Sequence, residues 1–164
     1  MKLAIISILS FFLSTYHAVG QTTIVTGKVI DENFYPVYNA KLFKEDTALL
    51  TTTDTAGNFM IEIPTNTRLL TVASIAMESK HIHLTDNCSN LEIILLNSGS
   101  YDFLSAGKVD RLRKKEFNKL PSLHLSAFEK RVFKNDKPCY LDKFVSHKKE
   151  LKEIHRNRSK MPST

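Results

Sequence analysis

Between residues 23 and 96 the apolar positions come in short runs with a period near two, broken at short intervals by turn-forming residues. A strand sends alternate side chains to opposite faces, so this pattern predicts strands with one face buried. They fall over residues 23–30, 40–43, 49–53, 59–63, 69–75, 80–84 and 91–96. In the first, Val25 and Val29 face inward, and Gly27 between them allows either a close approach or a bulge. Asp31-Glu32-Asn33 turns the chain, with Asn33 as the residue that tolerates a left-handed conformation. Pro36 fixes its own φ before the second strand. Asp54-Thr55-Ala56-Gly57 reads as a hairpin turn in which Gly57 supplies the unusual backbone angle. Phe59, Ile61 and Ile63 alternate with Met60 and Glu62, and Pro64 ends that strand because it cannot donate to a ladder. Seven short strands at this spacing predict a mainly β chain built on a seven-stranded antiparallel Greek-key sandwich.

Beyond Gly99 the period lengthens to that of helices. Val109, Leu112, Phe117 and Leu120 share one face, and Pro121 ends that segment. Ser126 and Glu129 have capping-box spacing, followed by a stripe of Leu125, Phe128 and Val132. Leu141, Phe144 and Val145 open a third segment that frays beyond His155. The expected organisation is therefore a sandwich over 21–98 and a mostly α-helical C-terminal tail over 99–164.

The first twenty residues belong to neither. Lys2 precedes an apolar run from Leu3 to Leu13, and small residues stand at Ala18 and Gly20. This is the form of a secretory signal peptide cleaved after Gly20, and the run is too short to span a bilayer. The expected destination is outside the cytoplasm, in a periplasmic or outer-membrane-associated setting.

Charge separates the two later parts. Residues 21–100 carry 5 Lys and Arg against 9 Asp and Glu, net −4, whereas residues 101–164 carry 17 against 8, net +9. The overall +6 is thus a property of the tail. Such asymmetry suggests an interaction tail. Two readings stand side by side. The apolar stripes pack on the sandwich and the charges are solvated, or the tail is a partner-binding appendage. In the second, Phe117, Phe128, Phe133, Tyr140 and Phe144 are the anchors and Arg111, Arg113, Lys114 and Lys115 the steering charges. The expected partner is an acidic envelope protein, with an anionic lipid surface as a second option. Nucleic acid is not expected, because no nucleic-acid-binding motif is present.

One ordered series of motifs is more specific than the period. Gly27-Lys28-Val29-Ile30-Asp31 is followed by Pro36-Val37-Tyr38-Asn39-Ala40, then by Thr51-Thr52-Thr53-Asp54-Thr55-Ala56-Gly57-Asn58-Phe59, then by a hydrophobic strand ending at Pro64. That series resembles the carboxypeptidase regulatory-like domain, a transthyretin-like (prealbumin-like) sandwich. The resemblance implies an accessory module, of a kind also found ahead of the plugs of TonB-dependent receptors. Many relatives have an aromatic turn, Ser-Tyr-Ile-Gly-Tyr, where this chain has Ser74-Ile75-Ala76-Met77-Glu78. Any contact made by that turn in relatives is not carried over. Related sandwiches bind glycans through exposed aromatics, for which Phe34, Tyr35 and Tyr38 are the candidates here, although the chain has no Trp.

Candidate chemistry is sparse. Cys88 and Cys139 would, in an oxidising compartment, either form a disulfide tying the last sandwich loop to the tail or remain as thiols. His81 and His83 lie two apart on one strand face without a third clustered ligand, so the expectation is an exposed polar face of an edge strand and no metal. There is no nucleophile elbow and little glycine for a phosphate loop. The expected function is that of a non-enzyme without a cofactor: an exported interaction module that binds a protein partner through the sandwich and basic tail. A carbohydrate- or small-ligand-binding sandwich is the alternative.

Overall fold

The computed structural model describes residues 21–45, 47–86 and 88–158, and the signal-peptide reading falls outside them. Alternation produces the strands where the sequence places them: β1 (Thr22–Asp31), β2 (Lys41–Lys44), β3 (Ala48–Thr52), β4 (Asn58–Pro64), β5 (Leu69–Ala73), β6 (Lys80–His83) and β7 (Asn90–Leu95). They form two sheets, β4-β1-β7 and β3-β2-β5-β6-β8, the last strand being a two-residue piece of the tail, β8 (Leu141–Asp142). The sheets pack face to face. Val25, Val29, Phe59, Ile61, Ile63, Leu91 and Ile93 from the first meet Leu42, Leu70, Val72 and Ile82 from the second. The chain is mainly β, but it is not purely antiparallel as expected. β7 follows β6, which lies in the other sheet, so it arrives by a crossover and runs parallel to β1, with Gly27 opposite Leu91.

The close-approach reading of Gly27 holds. A Cβ there would stand 2.3 Å from the Leu91 carbonyl oxygen and 2.5 Å from the Phe59 ring. Gly57 takes φ +75°, as the turn requires. In that turn the Asp54 carboxylate accepts hydrogen bonds from the Ala56 and Asn58 amides at 2.9 and 2.8 Å. The first turn differs from expectation. The Asp31 carboxylate accepts from the amides of Asn33 and Tyr35 at 2.8 and 2.9 Å, and this places the left-handed conformation on Phe34 (φ 71°) rather than Asn33.

The tail contains α1 (Ala106–Phe117), α2 (Leu120–Glu129) and α3 (His147–Arg158). Three boundaries differ from the sequence reading. Pro121 does not stop a helix but occupies the first turn of α2, where its missing amide costs nothing. Ser126 and Glu129 consequently lie at the end of α2 and form no capping box. Leu141 belongs to β8, and the third helix starts only at His147. Its true cap is Ser146, whose hydroxyl accepts from the Lys149 amide and donates to Asp110 of α1 at 2.6 Å. The Asp110 carboxylate also accepts from the amides of His147 and Lys148, placing negative charge where the helix dipole favours it.

α2 and the end of α1 cover the outer face of the three-stranded sheet, and α3 packs on α1. Ile30, Ile94 and Leu96 form a second apolar cluster with Leu120, Ala127 and Phe133, joined by the half-buried Phe34, Phe117, Leu123 and Val132. The buried face of α2 is therefore Leu120, His124 and Ala127, while Leu125 and Phe128 of the expected stripe remain 45% and 40% exposed. Cys88 and Cys139 are disulfide-bonded with Cα atoms 5.3 Å apart, and Tyr140 enters the main core beside them.

Replacing Gly27 with Ala should force β7 or the Phe59 ring aside. We expect a loss of about 1–3 kcal/mol, the usual cost of overpacking, measured by urea unfolding. A loss below about 0.5 kcal/mol would show that β1 and β7 are not packed this closely.

Candidate functional site

Parity along two strands decides which polar groups are buried. On β6, Lys80 lies two residues from the core residue Ile82 and so shares its inward face. On β7, Glu92 shares its face with Ile94, the face that the tail covers. Neither group is left alone. The Lys80 ammonium, 8% exposed, pairs with Asp142 of β8 at 2.8 Å. The Glu92 carboxylate accepts from the Lys134 amide at 2.5 Å, and from the main-chain and side-chain nitrogens of Asn135 at 3.1 and 3.0 Å. Its carbonyl accepts the Tyr140 hydroxyl at 3.1 Å. Two strands of the sandwich thus hold the stretch from Lys134 to Asp142 through buried polar bonds.

His124 of α2 completes the group. It is 3% exposed, its ring lies 4.8 Å from that of Phe133, and Nε2 has no hydrogen-bond partner among the described residues. The nearest carboxylate oxygen, Oε2 of Glu92, is 4.0 Å away. Burial pushes the imidazole below its ordinary pKa despite the opposing pull of Glu92. Burial likewise lowers the Lys80 ammonium against the pull of Asp142, and raises the Tyr140 phenol. Lys80, His124, Tyr140 and Asp142 line a groove of about 310 Å³ whose remaining wall is Ile94, Phe117, Asn118, Leu120, Pro121 and Pro138.

The residues chosen from sequence separate into two sets. Phe133 and Tyr140 are buried, so they are corrected from partner anchors to core residues. Phe117 and Phe144 are half-buried against each other, edge to face at 5.7 Å, with Arg113 over the Phe144 ring. Arg113 is also engaged, paired at 2.8 Å with Glu78 of the altered aromatic turn. For Phe117 and Phe133 the physical reason is that the outer sheet face needs an apolar cover, which the tail's aromatics supply, whereas Tyr140 fills the core between the sheets. Arg111, Lys114, Lys115 and Phe128 are exposed, and none of the three cations makes an ion pair among the described residues. In the loop between β1 and β2, Tyr35 and Tyr38 are 70% and 65% exposed, but Phe34 is half-buried under the Lys130 ammonium, 4.1 Å from its ring. His81 and His83 are half-buried on an inner strand rather than exposed at an edge, because β8 pairs with β6, and His81 contacts Thr71 at 3.1 Å. Sequence reasoning missed Lys80, Glu92, His124 and Asp142. For the two strand residues the signal was their parity with Ile82 and Ile94.

Residues 25–102 match the model of the CarboxypepD_reg-like domain. This segment is a carboxypeptidase regulatory-like domain. The match covers just under half of the chain, and the matched family is one of non-catalytic, regulatory, immunoglobulin-like folds. No curated protein matches the sequence. Among solved structures, one similar chain belongs to the E. coli P pilus tip assembly intermediate PapC-PapD-PapK-PapG in its second conformation. The likeness has 13% identity and a TM-score of 0.36, covers 51% of this chain and 10% of that one, and carries no argument here.

Because the folded-state pKa of His124 lies below the ordinary 6.5, the unfolded chain binds more protons as the pH drops past that value. The contribution of the neutral ring is present above pH 6.5 and is lost as the pH falls toward the folded-state pKa. Unfolding free energy should therefore fall between pH 6.5 and 5, and less steeply in His124→Phe. Equal slopes in the two proteins, read by urea denaturation at each pH, would contradict this assignment.

Proposed function

We propose that this chain is an exported, non-catalytic interaction module of the cell envelope that binds an acidic protein partner through the exposed basic face of its tail. The observation that carries the reading is the division of charges on α1. Arg113 is consumed by Glu78, while Arg111, Lys114 and Lys115 stand exposed without a partner among the described residues. Exposed cations of one sign raise the encounter rate with an acidic surface and suppress basic ones. Leu112 and Phe128, each 40% exposed, and the fully exposed Phe103 offer apolar contacts from the same tail. The carboxypeptidase regulatory-like sandwich serves as the scaffold, the seven sandwich strands in a Greek-key order and the tail as the contacting part. Export is supported by the signal-like residues 1–20 and by the Cys88–Cys139 bridge, which persists in oxidising compartments. Site chemistry points the same way: the buried Lys80 and Glu92 and the half-buried Asp142 are used in structural bonds.

Reversing Arg111, Lys114 and Lys115 to Glu tests it. All three are exposed, so melting should be unchanged within about 0.5 kcal/mol. A partner captured from an envelope extract should bind wild type at low salt, elute as salt rises and be lost at least tenfold by the variant. Equal capture by the two proteins would overturn the reading.

A second reading is favoured by Tyr35 and Tyr38, whose rings are exposed on one loop and free to stack on a sugar. It expects saturable binding on a glycan array that falls at least tenfold in Tyr35→Ala/Tyr38→Ala. An unchanged array profile would dismiss it.

A further inference from the structure

Lys80 and Asp142 meet where two ions are costly to hold. Asp142 stands opposite Ile82 in the pairing of β6 with β8, so it shares the inward face of Lys80, two residues away on β6. The two side chains are 8% and 18% exposed, Nζ lies 2.8 Å from Oδ2, and the Tyr140 ring centre is 5.8 Å from Nζ. Taking both charges out of water costs several kcal/mol per ion, and an apolar pair of similar volume is often as stable. Stability alone therefore does not account for this choice of residues. Their position does matter. β8 has two residues, lies at the edge of its sheet and pairs with β6 alone.

The same surroundings favour a reaction between the partners. Burial lowers the pKa of the Lys80 ammonium against the pull of Asp142. Moving one proton from Nζ to the carboxylate leaves a neutral amine and a neutral carboxylic acid, which a site poor in water holds more easily than two ions. The neutral amine is a nucleophile, and the protonated carboxyl carbon is the more electrophilic form. With Nζ 2.8 Å from Oδ2, the carbon–oxygen bond length leaves Cγ at most about 4 Å from the nitrogen. Reactants held this close need no bimolecular encounter, which is worth a large effective concentration. Condensation also needs an outlet for water. Both side chains line the groove of about 310 Å³ and a smaller cavity of about 40 Å³, large enough for a water molecule. Glu78 lines the smaller cavity too, a further carboxyl group able to relay a proton.

We propose that Lys80 and Asp142 condense to an intramolecular amide that staples β8 to β6. The bond formed joins Nζ to Cγ, and the bond broken joins Cγ to one carboxylate oxygen. Two of the three ammonium protons leave with that oxygen as one water, so nothing is oxidised or reduced and no co-reactant is needed. Three residues from the Cys88–Cys139 disulfide, this would be a second covalent tie between sandwich and tail, and one that thiol reductants do not open. The proposal does not rest on the partner-binding reading.

Intact-mass spectrometry of the purified protein, reduced and alkylated, tests it. Wild type should weigh one water less than its own sequence, and a tryptic digest should contain a branched peptide whose fragments join Lys80 to Asp142. Lys80→Arg keeps the positive charge but offers no amine, and Asp142→Ala removes the carboxyl carbon. Both variants should show the full sequence mass. The triple reversal at Arg111, Lys114 and Lys115 should still lack one water, which separates the cross-link from the proposed partner surface. A wild-type protein of full sequence mass would overturn the proposal, as would a missing water that fragmentation places on other residues. The wild-type spectrum decides the matter even if a variant fails to fold.

Discussion

Strand β7 is buried on both faces, and the rest of the molecule is arranged around that fact. Its inner residues Leu91, Ile93 and Leu95 fill the space between the sheets, as a sandwich strand must. Its outer residues Glu92 and Ile94, with Leu96 just beyond, would expose apolar surface around an isolated carboxylate if the chain ended with the sandwich. Each large aliphatic side chain moved from water to the interior contributes about 1.5–3 kcal/mol. Covering this face is therefore a major source of stability for a sandwich of this size, which buries only a modest fraction of its own surface. The tail does the covering, and Glu92 fixes its register by accepting three hydrogen bonds from Lys134 and Asn135.

This constraint sorts the tail by chemistry. Its aromatic and small residues, Phe117, Ala127, Phe133 and Tyr140, face the sandwich, and most of its cations face water. The exceptions prove informative because they are bonded: Arg113 reaches back to Glu78, in the turn where relatives carry aromatics. In this turn Ala76 takes φ 61° and Glu78 donates its amide to the Leu96 carbonyl. What it holds in this chain is an ion pair with α1. A structural tail and a basic surface are thus compatible descriptions of one segment.

Much of the fold was legible because period-two alternation and turn chemistry act locally. Asp54 and Gly57 specify their turn from within four residues, and Phe59, Ile61 and Ile63 declare their buried face unaided. The tail was harder for a non-local reason. The phase of α2 is set by the sheet it meets, and Ala127 and His124 fit against Ile94 better than the larger Leu125 and Phe128. The signal that the tail must pack lay in the run Leu91-Glu92-Ile93-Ile94-Leu95-Leu96, apolar on both parities apart from Glu92. A strand of that kind is covered twice. The buried polar groups were hidden for the same reason: Lys80 and Glu92 read as ordinary surface residues until the second cover is in place.

Native-state hydrogen exchange of the oxidised protein tests the claim that sandwich and tail form one cooperative unit. If they do, the amides of Ala127, Val132 and Phe133 will exchange with the same opening free energy, and the same urea dependence, as those of Val29 and Ile93. A tail that opens at lower free energy, while β1 and β7 keep their protection, would show that the sandwich stands without its cover and would contradict the account.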